Sequence, residues 1–112
     1  MAEEQMSAEE KQMMVSFGIV AAAGQARSLA FEALSAAKGG DFNRADDLLR
    51  QSEEAFLEAH HQQTELLSRE ASGDHTPVDV LLVHAQDHLM TSMLARELIA
   101  EIVELRREIA DR

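Results

Sequence analysis

Residues 80–98 read VLLVHAQDHLMTSMLAREL, and the fold class can be inferred from this stretch. Its apolar residues recur at spacings of three and four, which is the periodicity of an α-helix rather than of a strand. One stripe alternates between steps of four and three residues and forms a heptad seam: Val80, His84, Asp87, Thr91, Leu94 and Leu98. A heptad seam is typical of a helix that packs along other helices. The helical pattern continues to about Ala110, so the stretch predicts one long helix.

A first helix is expected from about residue 7 to residue 38. Ser7 and Glu10 match a Ser-x-x-Glu capping box, in which the serine satisfies a free backbone N–H at the start of a helix. The pair Gly39-Gly40 follows the last residue, and glycine tolerates the backbone conformation that ends helices. Both signals therefore predict the same boundaries.

The second and third helices have their own start signals. Asp41 can cap the second, which ends at the Ser-Gly-Asp of residues 72–74. For the third, Thr76 is the expected cap, Pro77 the first helical residue and Asp79 the acid of the capping box. The second helix carries one apolar stripe: Ala45, Leu48, Leu49, Ser52, Ala55, Phe56, Ala59 and Leu66. Short connections make neighbouring helices antiparallel, so the prediction is an all-α, up-down-up antiparallel three-helix bundle.

The composition supports a single helical domain over residues 1–112, in which about the first seven residues are expected to be frayed. A chain of this length suits one core and is too short for a deep cleft between domains, which disfavours a conventional small-molecule enzyme. There is one Pro and no Trp, Tyr or Cys, so the sequence does not favour β-architectures and excludes disulfides and thiolate metal sites.

The charge balance limits the kinds of partner. The formal net charge is −11, which disfavours nucleic acid and anionic lipid as partners and favours a protein with a basic surface. The alternative is that the charge contributes only to solubility. The N-terminus is acidic and has no secretory signal pattern. We expect no apolar run to reach the roughly 20 residues of a membrane span, and we therefore predict no membrane insertion and a cytoplasmic location.

The third helix has more apolar surface than a three-helix monomer needs. Beyond the heptad seam, other apolar residues cover much of its circumference: Leu82, Val83, Leu89, Met90 and Met93. A helix on the surface of a monomer needs only one apolar stripe. We therefore predict that subunits associate through the third helix.

Three polar residues stand inside this apolar helix. His84, Asp87 and His88 are three and four residues apart, so they share one face and can touch. Asp87 lies on the seam, where copies from several subunits would repel one another unless a cation, a shared proton or water lay among them. His84 is a candidate nucleophile, because neutral imidazole presents a free ring nitrogen, and Asp87, Gln86 or His88 could accept a hydrogen bond from the other nitrogen.

Other interpretations of these residues stay open. A histidine on an apolar helix face is more often an interface residue than a catalyst. The spacing of His84 and His88, with Asp87 between them, also suits a transition-metal site, although no third ligand at an ordinary zinc spacing is evident.

Charged groups elsewhere are weaker candidates. Arg27 and Arg96 could neutralise a phosphate, while His60, His61 and His75 are expected to be solvated or inert. The sequence contains neither a phosphate-binding glycine loop nor a nucleophile elbow.

Residues 83–98, VHAQDHLMTSMLAREL, strongly resemble the enzyme IIA component of the lactose, cellobiose and N,N′-diacetylchitobiose class of phosphoenolpyruvate-dependent phosphotransferase systems. Two further stretches are similar to the same family: GQARS at residues 24–28 and EAHHQQT at residues 58–64. The similarity spans nearly the whole chain, with the motifs in the family's order and spacing.

The resemblance implies a homotrimer of three-helix subunits. It implies that His84 is phosphorylated on Nε2, by the phosphocarrier protein HPr, and passes the phosphoryl group to a cysteine of the IIB component during uptake of a β-linked disaccharide. It also implies that Asp87 lies near the trimer axis with a divalent cation, magnesium in most descriptions, and that Gln86 and His88 support the active histidine.

On this interpretation an apolar surface around His84 excludes water and serves as the docking site for both partners in turn. This surface consists of Leu82, Val83, Leu89, Met90 and Met93. Phosphoryl transfer needs donor and acceptor in line, so the protein's task is mainly positioning. The alternative function is that of a non-catalytic, metal-stabilised trimer with a regulatory or interaction role. A purely structural helical oligomer would leave the clustered polar residues unexplained.

Overall fold

Three long α-helices account for most of residues 6–112, which are the residues that this computed structural model describes. They span Ala8–Lys38 (α1), Phe42–Ala71 (α2) and Val80–Ala110 (α3), and the described residues contain no strand. The predicted all-α, up-down-up bundle is confirmed. Of the segment expected to be frayed, residues 1–5 lie outside the described residues, and the first helical residue is Ala8.

The helix starts agree with two of the three predicted caps. The Ser7 hydroxyl accepts the Glu10 N–H at 3.1 Å, and the Asp41 carboxylate accepts the Arg44 N–H at the same distance. The third prediction, a cap at Thr76 with Pro77 in the helix, is wrong. Asp79 caps α3 by accepting the Leu82 N–H at 2.7 Å.

The error at α3 has a local physical cause. Residues before Asp79 are held outside the helix by other contacts, because the Pro77 carbonyl accepts a hydrogen bond from Gln12 of α1 and the Thr76 N–H is bonded to Glu70 of α2. Aspartate is also at least as strong a cap as threonine. The segment therefore crosses the end of the bundle before α3 begins.

Replacing the true cap should destabilise the protein, whereas replacing the expected one should not. Asp79→Ala leaves the N–H of Leu82 without its partner, so we expect the free energy of unfolding to fall by about 1 kcal/mol. Thr76→Ala is the matched control and should change it by less than about 0.5 kcal/mol. Urea denaturation followed by circular dichroism measures both, and a larger loss for the Thr76 variant would contradict this assignment.

Helix α1 is the central element, since it packs extensively against both other helices while α2 and α3 contact each other little. Its inward face is mostly alanine, which lets the neighbouring helices approach closely: Ala23, Ala26, Ala30, Ala33 and Ala37. Larger side chains from α2 and α3 fill the remaining space, among them Phe56, Leu82 and Leu89 near one end and Ile99 and Val103 near the other.

Helix α1 is long and apolar enough, by length and composition only, to cross a membrane, contrary to the expectation that no apolar segment reaches that length. Seven of its residues are buried in the bundle. Of its most apolar 18-residue window 28% is buried, so burial in the bundle covers only part of this apolar surface.

Candidate functional site

His84 lies in the second turn of α3, on the side of the helix that faces away from the core. Its side chain is 56% exposed. The ring Nδ1 atom is 3.3 Å from Oδ1 of Asp87, three residues later. The predicted juxtaposition of these two residues is therefore present within one subunit. A carboxylate beside Nδ1 favours a proton on that nitrogen, which leaves Nε2 as the nitrogen with a free electron pair.

His88 lies one turn after His84 and stacks on it. The two ring centroids are 5.7 Å apart and the ring planes are inclined by 23°. His88 is half-buried and extends toward α1, where a Cβ atom added at Gly24 would come within 3.4 Å of its Nε2 atom. A side chain larger than alanine at this position of the GQARS segment would therefore crowd His88.

Gln86 does not contact His84, contrary to one of the options left open by the sequence. Two residues correspond to about 200° around an α-helix, so the two side chains leave α3 in nearly opposite directions. The Gln86 amide instead pairs with Gln63 of α2: Gln63 Nε2 donates to Gln86 Oε1 at 2.6 Å, and Gln86 Nε2 donates to Gln63 Oε1 at 2.7 Å. Any supporting role of Gln86 within the subunit is therefore indirect.

The apolar surface beside His84 is smaller than predicted. Val83 and Met90 are exposed and Met93 is half-buried. Leu82 and Leu89 are buried in the core against α1, so neither is an exposed docking residue, although Leu82 contributes to the lining of the apolar depression described next. Both were placed on the surface because apolar residues cover most of the helix circumference, and the sequence alone does not say which side α1 covers.

Val78 is an exposed residue that the sequence reading missed. It lies in the segment before α3 and lines the same shallow apolar depression as Val83 and Met90, with Asp87 at its edge. Helical periodicity does not extend into a connecting segment, so no pattern in the sequence connects Val78 with this surface. We call Val78, Val83 and Met90 the apolar rim.

The two arginines singled out from the sequence are engaged elsewhere. The Arg96 guanidinium donates to the Leu49 carbonyl and to Glu53 of α2, both at 3.2 Å. Arg27 lies over the ring of Phe31, 5.3 Å from its centroid. In these contacts the two guanidinium groups bind or stack on residues other than His84.

The remaining histidines have other neighbours. His75 pairs with Glu70 at 2.9 Å, and His61 Nε2 is 4.0 Å from Glu65 on the same helix. His60 lines a groove between α2 and α3 together with Arg96. These contacts do not place His60, His61 or His75 beside His84, whose imidazole neighbour is His88.

No metal site is formed within one subunit by residues 6–112, since no three of their His, Cys, Asp and Glu side chains come together suitably. The transition-metal interpretation of His84, Asp87 and His88 in a single chain therefore gains no support.

The heptad seam lies on the surface of the subunit. Val80, Leu94 and Leu98 are all more than half exposed, and the apolar character continues along α3 with Ile102 and Leu105. The helix thus leaves an unpartnered apolar face of the kind that the sequence predicted for association between subunits.

Comparison with known proteins gives consistent matches. Residues 14–107 match the family model described as the lactose/cellobiose-specific IIA subunit of the PTS system. The chain is 50% identical over 105 residues to the PTS system N,N′-diacetylchitobiose-specific EIIA component of Escherichia coli (strain K12), which covers 94% of this chain and 90% of that protein.

Two solved structures are similar over nearly the whole length. The PTS cellobiose-specific enzyme IIA from Bacillus anthracis is 41% identical, with a TM-score of 0.87 over 98% of each chain. The IIA(Chitobiose)–HPr complex of the Escherichia coli phosphotransferase system contains a chain that is 49% identical, with a TM-score of 0.75 over 87% of this chain and 94% of that one.

Proposed function

Because the chain belongs to the lactose/cellobiose-specific IIA family of the phosphotransferase system, we propose that it carries a phosphoryl group on Nε2 of His84. The family resemblance inferred from three sequence motifs is confirmed by these matches. The observation that carries the proposal is the contact between His84 Nδ1 and Asp87, which favours a free electron pair on Nε2 of an exposed ring. That nitrogen is suited to attack phosphorus.

The proposed reaction has two transfers. In the first, the bond between phosphorus and the histidine nitrogen of phospho-HPr breaks as the bond from phosphorus to His84 Nε2 forms. In the second, that bond breaks as a cysteine thiolate of the IIB component attacks. The similarity to the IIA chain of a solved complex with HPr supports the donor, and the net charge of −11 favours encounter with basic partner surfaces. The transported sugar would be a β-linked disaccharide, and the carrier would act in the cytoplasm.

The geometry suggests how the residues of this chain assist transfer. Positive charge develops on the imidazole as Nε2 bonds to phosphorus, and the Asp87 carboxylate 3.3 Å from Nδ1 stabilises that charge. Stacking on His88 restricts rotation of the His84 ring. The apolar rim gives each partner a surface that displaces water when it docks, which slows competing hydrolysis of the phosphohistidine.

We further propose that three subunits associate through α3 and that a divalent cation, magnesium by the family resemblance, lies among three copies of Asp87. The donor set fits such an ion, because carboxylate oxygens are its preferred protein ligands and the Asp87 side chain is exposed on the seam. Asp87 would be the residue of this chain that holds the ion, while its Oδ1 atom lies 3.3 Å from His84 Nδ1. The ion would offset two of the three negative charges and so reduce the repulsion among the carboxylates.

Replacing Asp87 tests the cation. Chelation by EDTA should lower the melting temperature of the wild-type oligomer, whereas Asp87→Leu should remove this response because the carboxylate ligands are gone. Glu65→Leu on α2 removes one negative charge away from the seam and should leave the response intact. A wild-type melting curve that is the same with and without EDTA would contradict the proposal.

The carrier function is tested by reconstituting the relay. Incubation with phosphoenolpyruvate, enzyme I and HPr should add one phosphoryl group per chain, which intact mass spectrometry detects and mild acid removes. Subsequent addition of the cognate IIB component should discharge it. A stable oligomer that responds to EDTA but takes up no phosphoryl group would instead favour the non-catalytic, metal-stabilised trimer.

A further inference from the structure

Three polar links join α2 and α3 directly, beside the apolar clusters that both helices share with α1. Gln63 pairs with Gln86, Arg96 binds the Leu49 carbonyl and Glu53, and Arg107 binds Asp46. On α3 these links are ten and eleven residues apart, which is about three helical turns. They tie two helices that otherwise pack mainly on α1.

The Gln63–Gln86 pair differs from the other two links. It is uncharged, partly buried, and each amide both donates and accepts, at 2.6 and 2.7 Å. Salt therefore does not screen it as it screens an exposed ion pair. A pair of amides bonded in both directions also fixes the relative orientation of its two side chains, because turning one amide alone would place oxygen against oxygen.

The pair lies at the turn of α3 that carries His84. Leu82 and Leu89 pack on the core, Gln86 faces α2, and His84 leaves the helix on nearly the opposite side from Gln86. Apolar packing resists separation of α3 from α1 but has little directional preference. Hydrogen bonds are directional, so the amide pair is the contact at this turn that resists rotation of α3 about its axis.

A small rotation would matter for transfer. A helix with its side chains is roughly 10–12 Å across, so a rotation of about 10° moves an atom on its surface by roughly 1 Å. A misplacement of that size can slow an aligned transfer by about a hundredfold. The direction of the His84 ring thus depends on the contacts that fix the rotation of α3 relative to α2.

We propose that Gln63 is a positioning residue for phosphoryl transfer. Through the paired amide of Gln86 it fixes the rotation of the first turns of α3, and thereby the direction in which Nε2 of His84 meets donor and acceptor. This inference rests on the proposed carrier function and assigns a role to the EAHHQQT segment of α2, which that function does not otherwise use.

Gln63→Met removes both hydrogen bonds while keeping a side chain of similar size. We expect the turnover rate of phosphoryl transfer from phospho-HPr to fall about tenfold, with KM for phospho-HPr within about twofold of wild type. The ¹⁵N resonances of the His84 ring should shift or broaden. Gln51→Met is the matched control, because the Gln51 amide bonds only to Asp47 of its own helix, and it should leave both measurements unchanged.

The double variant Gln63→Met/Gln86→Met separates positioning from stability. It leaves no unpaired amide, so its melting temperature should return toward wild type while the transfer rate stays low and the His84 resonances stay perturbed. Recovery of the rate together with stability would overturn the proposal, as would wild-type rates in Gln63→Met. If wild-type protein takes up no phosphoryl group, the carrier function fails, whereas the ring resonances still report whether Gln63 positions His84.

Discussion

His84→Gln is expected to abolish phosphoryl uptake from phospho-HPr while the fold and the oligomer survive. Glutamine has a similar reach but no nucleophilic nitrogen, so the rate should fall by at least about a thousandfold. The His84 side chain is more than half exposed and makes no core contact, so circular dichroism and melting temperature should change little. Intact mass spectrometry after incubation with the relay proteins measures the uptake.

His61→Gln is the matched control for this variant. His61 is an exposed histidine of α2 that contacts only Glu65 in its own helix, and its replacement should leave phosphoryl uptake at the wild-type level. Acid-labile phosphate that persists in the His84 variant would refute the assignment of the carrier residue.

The second large effect is expected at the subunit interface. Leu94 and Leu98 are 54% and 55% exposed on the heptad seam of α3. Placing a lysine at each, in the double variant Leu94→Lys/Leu98→Lys, puts like charges where the proposed association would bring copies of α3 together. We expect the dissociation constant to rise by at least roughly a hundredfold, so that the protein sediments as a monomer at micromolar concentration.

The control for the interface uses two leucines of α2. Leu57 and Leu67 are 62% and 60% exposed but lie on a different helix. The double variant Leu57→Lys/Leu67→Lys adds the same charge and should keep the oligomer intact. Sedimentation equilibrium measures both variants, and a wild-type protein that is itself monomeric at micromolar concentration would disprove association through α3.

Sequence periodicity was sufficient for the elements and for the central contact of the site. Apolar spacing and the capping patterns at Ser7 and Asp41 predicted α1 and α2 closely, because these signals depend on residues within one helix. The contact between His84 and Asp87 was predictable for the same reason, since a spacing of three residues places both on one helix face.

The predictions that were wrong depend on contacts between helices. The cap of α3 is Asp79 rather than the predicted Thr76. Gln12 and Glu70, which lie on other helices, hold the segment before Asp79 outside the helix. Apolar periodicity alone predicts Leu82 and Leu89 on a docking surface, but both side chains are buried in the core against α1. Which side of an apolar helix is covered depends on the packing of the whole bundle, and no local pattern contains that information.

The position of Gln63 illustrates the same limit for function. The resemblance to a known family drew attention to its segment, but the sequence offered no partner for it. Its partner Gln86 is 23 residues away, and the pair forms only because α2 and α3 run antiparallel along α1. The spacing along the chain has no period that would have linked the two amides.

The exposure of His84 on a regular helix has a consequence for the shape of its partners. A nucleophile on a convex helical surface has no protein walls of its own chain around it, whereas an enclosed active site surrounds its substrate. On the proposed function, each partner would have to supply the concave part of the site, on the surface that associated copies of α3 leave open around His84. Between encounters, the lifetime of the proposed phosphohistidine would depend on the carrier alone. The overall rate of phosphoryl transfer through such a relay would then depend on how quickly the phosphorylated carrier associates with its acceptor protein.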